Sequence, residues 1–493
     1  MTTIDKLKKY SRELIDLHHI AALLQWDQEV YLPERGGEER ASQLMTLSRL
    51  IHKKEVSARL GALLEEAEQN KDRVDEKDRA LLRVMRRSFD QSSKLPEKFV
   101  ADFAGLTARA QGAWDNARKH SDFSIFRPFL ADIVTAVRRK AEYLGYARTP
   151  YDALLDLHEE GLTTATCEKL FDELKKPLSE MVRALADKKQ VRLRFDTDFA
   201  RFEQNDFADF LLESIGFDFK RGRQDRSAHP FTTSLGHDDR RVTNRYGPRS
   251  LEFIFSALHE GGHAVYEQGI SDELSQTHLD TGVSLGIHES QSRLWENIIG
   301  RSPAFWDYMY PHLQKKFPDK FKDLCCHDFV QGINYVKPGK IRVEADEVTY
   351  NLHVIIRFEL EKKLIDGTLA VDDLPGAWNA MYEKLLQVKV ADDADGVLQD
   401  VHWSHGALGY FPTYTIGNVT AAQIWNTFSR ARTDHEELIR SGNFKTILGW
   451  LREYIYRHGS VYPPGELLER ITGEKLTARY FLAYLRQKYL GRT

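Results

Sequence analysis

Apolar residues recur three and four positions apart through most of this 493-residue chain, a period that buries one face of a helix. Residues 4–26 place Leu7, Tyr10, Leu14, Leu17 and Leu24 on such a stripe. Residues 80–115, 126–145, 166–186 and 346–365 follow the same rule, and the last run meets Asp366-Gly367, a helix stop. Residues 373–391, 441–456 and Thr477 to Tyr489 also read as helical. One stretch breaks the pattern. Residues 221–248 mix turn formers with short alternating segments such as Arg241-Val242-Thr243-Asn244-Arg245-Tyr246, which predicts a small β-hairpin or ribbon. No fixed-period repeat, low-complexity segment or long Pro/Gly/Ser linker divides the chain. The expected fold class is all-α, mainly helical, with one large domain over residues 1–493 plus the ribbon.

Composition narrows the function classes. The 70 basic and 74 acidic residues are interspersed, the net charge is −4, and no long basic block offers a nucleic-acid or membrane surface. Cys167, Cys325 and Cys326 are an odd set of three, which argues against a disulfide framework and for a reducing compartment. The N-terminal MTTIDKLKKYSRELIDLHH lacks the apolar core of a secretory signal, and no apolar run approaches the roughly 18 residues of a membrane span. A cytoplasmic enzyme is expected.

The segment Leu251–Gln268 carries HEGGH, residues 259–263, on a helix whose apolar side is Leu251, Ile254, Phe255, Leu258 and Val265. Residues four apart share a helix face, so His259 and His263 can point at one ion. Glu260 is rotated about 100° from His259, beside the ion, where it can hold a water and take its proton. Zinc lowers the pKa of such a water toward about 7. Gly261-Gly262 in mid-helix costs about 1 kcal/mol per glycine against alanine, so the pair implies close approach of a substrate or of a neighbouring backbone.

A catalytic zinc takes three protein ligands and one open position. Tyr266 and Gly269 stand where the metzincin pattern needs glycine and histidine, which excludes that pattern. Glu267 is eight residues from His259, about 12 Å along the axis at about 1.5 Å per residue, so these two cannot converge with His263. The third ligand must come from another element. The segment Thr281–Gly300 is the best donor, helical from about Ile287, with Glu289 preferred and His288 and Glu296 as rivals. The bland alternative is a solvated Glu289–Arg293 pair. His158-Glu159-Glu160 begins like the motif but has leucine at 162, and reads as a helix surface.

Further motifs surround HEGGH: Trp26-Asp27-Gln28, His229-Pro230-Phe231, Asp239-Arg240-Arg241-Val242-Thr243, His288-Glu289-Ser290, Ile341-Arg342-Val343-Glu344-Ala345-Asp346, the run Gly396 to Trp403, and Gly409-Tyr410-Phe411-Pro412-Thr413-Tyr414. In this order, over nearly the whole chain, the set resembles the M32 metallocarboxypeptidase family, the group of carboxypeptidase Taq. The resemblance implies an almost wholly helical fold with a deep active-site groove, similar to the neurolysin-like and angiotensin-converting-enzyme-like peptidases. It implies release of single residues from peptide C-termini with broad side-chain tolerance, one zinc per chain with cobalt as a substitute, and a homodimer.

Roles for further residues also come with the resemblance. An arginine suits a free α-carboxylate because its planar fork donates two parallel hydrogen bonds. Family position favours Arg342 for this, with Arg241 second. Tyr414 and His402 are preferred as donors to the developing oxyanion, with Tyr410 beside them. His229 either closes the groove end or holds its own loop in place. His353, among Val354, Ile355 and Ile356, is expected in the core, and Trp26, Trp295 and Trp403 are expected to pack. Two other functions compete: an oligopeptidase or dipeptidyl carboxypeptidase with the same chemistry, and a helical peptide-binding protein with a degenerate site. The intact Glu260 argues against the latter.

Overall fold

The structure, a computed structural model, describes residues 2–186 and 188–491. Helices make up 69% of it, with a single three-stranded sheet among the described residues. No described helix is long and apolar enough to cross a membrane. The chain divides into two compact units. The first comprises Met1–Ser93, Arg192–Ile333 and Ile424–Lys475, and the second Lys94–Val191, Asn334–Gln423 and Leu476–Thr493.

In the first unit, helix α1 (Thr3–Val30) starts on a reciprocal cap: Asp5 donates its N–H to Thr2 Oγ1 and accepts the N–H of Thr2 on its carboxylate. Leu7, Tyr10 and Leu14 are buried against Leu60, Leu64, Leu81 and Met85. The stripe then fades, and Ile20 and Leu23 are exposed. Helix α2 (Arg201–Ile215) precedes the sheet and ends at Gly216, whose φ of +96° is the left-handed turn glycine accepts most readily.

The sheet goes beyond the expected ribbon. Strands β2 (Thr232–Gly236) and β3 (Asp239–Asn244) form the antiparallel hairpin, with Thr232 opposite Val242. Strand β1 (Gly222–Arg226) adds to the other side of β3 in parallel, giving the order β1-β3-β2. Its first residue must be glycine, because a Cβ on Gly222 would collide with the carbonyl oxygen of Arg240. A parallel partner leaves no hairpin signal in the sequence, which is why the third strand was not expected.

Helix α3 (Glu252–Glu267) lies on this sheet, and Asn244 Nδ2 at the end of β3 donates to the Phe253 carbonyl at 3.0 Å. Its buried Phe253, Ile254, Phe255, Ala257, Leu258, Ala264 and Val265 include four of the five residues expected on its apolar side. Helix α4 (Leu285–Arg293) starts where Ser284 Oγ accepts the Ile287 N–H, and it continues as a π-helical stretch over Leu294–Ile299.

Among its described residues, the second unit has helices and connecting loops and no strand. The expected 80–115 run breaks at Pro96: one helix, Glu76–Ser93, closes the first segment of the first unit, and Glu97–His120 starts beyond the proline in the second. The 126–145 and 166–186 runs become Phe123–Leu144 and Thr164–Ala186. Helix α5 (Tyr350–Asp366) is buried on almost every side and stops at Gly367, φ +85°, where the stop was expected. It starts later than its periodicity suggests. Asp346 stays outside and accepts the N–H groups of Val348 and Thr349 on one carboxylate oxygen. His158 ends the helix Pro150–His158 with its ring 5.2 Å from Tyr410, and Glu159 is buried, so this segment is not the solvated surface expected of it.

Candidate metal centre

Helix α3 projects His259 and His263 to one side, and helix α4 brings Glu289 to meet them. Glu289 Oε2 lies 3.6 Å from His259 Nε2 and 3.5 Å from His263 Nε2. Ligand atoms about 2.0–2.2 Å from a tetrahedral ion are themselves about 3.3–3.6 Å apart, so both distances from Glu289 suit a small divalent ion. It is the one group of three or more such side chains with metal-binding spacing among the described residues. The histidine side chains are 20% and 16% exposed, which leaves one side of the position accessible.

Gly262 explains the convergence. A Cβ there would lie 2.7 Å from the Gln291 carbonyl oxygen and 2.7 Å from the Ser292 Cα, so α3 and α4 touch backbone to backbone at the ligands. Gly261 faces the other way, toward Leu212 and Ile215 of α2. The neighbouring-backbone reason is thus seen at Gly262, whereas Gly261 meets side chains.

Each of these three side chains is held from behind. Glu296, in the π-helical stretch, accepts from His259 Nδ1 at 2.8 Å. His263 Nδ1 meets His288 Nδ1 at 2.6 Å, and His288 Nε2 meets Glu267 Oε1 at 3.0 Å. Glu289 keeps Oε1 for Arg293 Nε at 2.7 Å and receives the Ser292 hydroxyl on Oε2 at 3.0 Å. The Glu289–Arg293 pair therefore exists, but with Glu289 buried and its second oxygen facing the histidines. Such partners fix ring orientation and ligand basicity.

The electrostatics follow from burial and these contacts. Burial alone raises Glu289, but Arg293, His259 and His263 outweigh it and hold the carboxyl well below the usual range. Glu267 is brought down to about 2 despite its burial, by His288, Arg240 and the Gly282 N–H. Burial lowers His263 to about 4, so its imidazole is neutral and able to offer a lone pair. Glu260, directly after His259, is pushed up, chiefly by burial. The Thr232 hydroxyl of β2 donates to Glu260 Oε2 at 2.8 Å, which sets the carboxylate from the sheet side.

Of the three candidates for third ligand, Glu289 reaches both histidines, and His288 and Glu296 stand behind them. The sequence reading rejected Glu267 as a ligand but missed that it, His288 and Glu296 support the triad. It also missed Thr232, since a threonine in a strand carries no distinguishing signal. In the same unit, Arg241 of β3 forms a two-point pair with Asp239, at 2.8 Å for both bonds, and lies over the Trp26 ring at 4.2 Å. His229 sits exposed between β1 and β2, its carbonyl accepting from Ser227 Oγ at 2.5 Å.

The second unit gathers Arg342, His402, Tyr410 and Tyr414 around Phe411. The Arg342 guanidinium is 5.2 Å from both the Phe411 and Tyr414 rings, and His402 is 4.6 Å from Phe411 and 5.5 Å from Tyr410. Arg342 is 4% exposed. It donates from Nε and Nη2 to Asp400 Oδ1 at 3.0 and 2.8 Å, and from Nη1 to the Tyr350 hydroxyl at 3.0 Å. Asp400 Oδ2 is taken by Arg357, which is fully buried. Burial lowers His402 to about 4, and its Nδ1 is buried without a hydrogen-bond partner. His353 is in the core, with Nδ1 2.9 Å from the Tyr382 hydroxyl, and Trp26, Trp295 and Trp403 are buried as expected.

A family model described as carboxypeptidase Taq (M32) metallopeptidase matches residues 6–489. The chain is 38% identical over 495 residues to a protein named carboxypeptidase 1 from Bacillus subtilis, covering 98% of this chain and 99% of that one. It is 40% identical over 493 residues to thermostable carboxypeptidase 1 from Pyrococcus furiosus, covering 99% and 98%. Its backbone matches the crystal structure of an M32 carboxypeptidase from Deinococcus radiodurans with a TM-score of 0.97, at 39% identity and 99% coverage of both chains.

Proposed function

This chain belongs to the carboxypeptidase Taq (M32) metallopeptidase family and is a metallocarboxypeptidase, and from that premise we propose that it releases single residues from peptide C-termini with broad side-chain tolerance, using zinc held by His259, His263 and Glu289. The observation that carries the zinc assignment is the placing of both Nε2 atoms within 3.6 Å of one Glu289 oxygen. When bound there, a divalent ion lowers the pKa of a water and polarises the scissile carbonyl.

The remaining work falls to the chain's own side chains. Glu260, steadied by Thr232, takes a proton from the attacking water and passes one to the leaving amine. Its burial raises its proton affinity toward that of a group able to do both. Arg342 is proposed to receive the substrate α-carboxylate. An arginine has five N–H donors, and Nη1 and Nη2 each keep one beyond the bonds to Tyr350 and Asp400. Arg241 is the second choice, because Asp239 already occupies its fork. Tyr414 and His402 are proposed to donate to the developing oxyanion, with Tyr410 beside them, and His229 to limit the site to one departing residue.

The family match across both compact units supports reading residues 1–493 as one catalytic domain. Cobalt as a substitute metal and a second copy of the chain as partner follow the resemblance. The three free cysteines favour a cytoplasmic setting.

The test is mass analysis of products from a blocked peptide and its C-terminally amidated twin, each with and without a chelator. Stepwise loss of single residues from the free acid alone, stopped by the chelator, is expected. Equal cleavage of the amidated twin would make the enzyme an oligopeptidase, and release of residues in pairs a dipeptidyl carboxypeptidase. Hydrolysis indifferent to the chelator would sink the metal assignment.

A further inference from the structure

We infer that Glu267, too far along α3 to touch the ion, is a positioning residue that fixes the tautomer and ring plane of His263 through His288. The inference rests on His263 being a metal ligand through Nε2, as proposed above.

The direction of two hydrogen bonds carries it. A neutral imidazole has one N–H and one lone pair. If Nε2 of His263 offers its lone pair to the ion, its proton is on Nδ1 and points at His288 Nδ1, 2.6 Å away. His288 Nδ1 must then accept, so the His288 proton sits on Nε2 and is donated to Glu267 Oε1 at 3.0 Å. The far end decides the direction of both bonds. An ionised carboxylate only accepts. A donor in its place would reverse His288, put the His263 proton on Nε2 and block the ligand atom.

The surroundings keep Glu267 an acceptor. Oε1 also receives the Gly282 N–H at 2.8 Å, and Oε2 receives the Ser234 hydroxyl at 3.1 Å. Arg240, fully buried, lies 3.5 Å from Oε2 and is bonded on its other side to Asp280 at 2.9 Å. The His288 ring packs close against Gly282, where a Cβ would lie only 2.5 Å from its Cδ2, so a side chain at 282 would displace the ring. His259 has the simpler arrangement, a direct bond to Glu296. Both histidines are thus oriented by carboxylates, one directly and one through an intervening imidazole.

The test measures zinc affinity of the full chain by competition with a chromophoric chelator, in wild type, Glu267→Gln, His288→Phe and the double variant. Each single substitution is expected to weaken zinc binding about 10- to 100-fold. The double variant should be no worse than the weaker-binding single, because both remove the same relay. Unchanged affinity in folded Glu267→Gln, or losses that multiply in the double variant, would overturn the inference. Should the variants not fold, 15N NMR of the zinc-loaded wild type decides: His263 protonated on Nδ1 and His288 on Nε2 is expected, and His288 protonated on Nδ1 refutes it. A wild type that binds no zinc sinks the metal assignment itself, whereas a zinc-binding wild type with indifferent variants sinks only the relay.

Discussion

A Cβ on Gly262 would lie 2.7 Å from the Cα of Ser292, so the helix bearing the two histidines and the helix bearing the glutamate meet without a side chain between them. That close contact is where Glu289 converges on the two histidines. Glu289 reaches across to His259 and His263 from three residues before Ser292.

Gly262→Ala is therefore expected to force α3 and α4 apart and to weaken zinc binding more than it weakens the fold. Overpacking against backbone costs about 1–3 kcal/mol. Gly261→Ala meets only the ends of the Leu212 and Ile215 side chains, which can shift, so it should be milder. Chelator competition and urea unfolding on both variants check this. Equal zinc affinity in the two would contradict it.

Glu260→Gln should lower kcat about 100- to 10,000-fold while zinc affinity stays near wild type. Thr232→Val removes the hydroxyl on Glu260 Oε2 and should lower kcat by less, with little change in KM. Steady-state kinetics on a blocked free-acid peptide, alongside metal content, separates these outcomes. A kcat unchanged in Glu260→Gln would refute its role as base.

Asp400 should make stability depend on pH on the acid side. Burial alone raises its carboxyl, but Arg357 and Arg342 outweigh it and hold it well below the usual range. Its folded value thus lies below the unfolded value of about 3.9, so its contribution is present above about pH 4 and is lost as pH falls toward the folded value. Asp400→Asn leaves two buried guanidinium groups short of their carboxylate and is expected to lose about 3–5 kcal/mol at neutral pH. Its stability should also be flatter on acidification. Urea midpoints as a function of pH, for wild type and variant, test both the size and the sign.

Zinc should stabilise the folded chain by mass action, by about 2.7 kcal/mol when free zinc is about 100 times Kd. Thermal unfolding after chelation, and again with zinc restored, measures it. The increment should largely vanish in Glu289→Ala, and a full increment there would remove Glu289 from the ligand set.

How much of this was legible differs from element to element. α1 was read from Leu7, Tyr10 and Leu14 because a period of 3.6 is local, and Gly367 ended α5 where expected because a left-handed turn is also local. The break at Pro96 was missed because the apolar spacing continues on both sides of it. β1 was missed because its partner, β3, lies in parallel beyond another strand.

By itself the sequence determined that the chain is helical, that His259 and His263 share a face, that Glu260 stands beside them and that Glu267 is out of reach, all consequences of helix pitch within one segment. Only the tertiary structure brought Glu289, rather than His288 or Glu296, to face both histidines, because its helix is joined to α3 by packing at Gly262 rather than by any spacing along the chain. It also set the partner of each imidazole nitrogen, placing Glu296 behind His259 and His288 with Glu267 behind His263. It gave Arg342 its Asp400 partner, 58 residues away in the chain. These are contacts between distant segments, and their geometry follows from which surfaces bury one another, which no local period encodes.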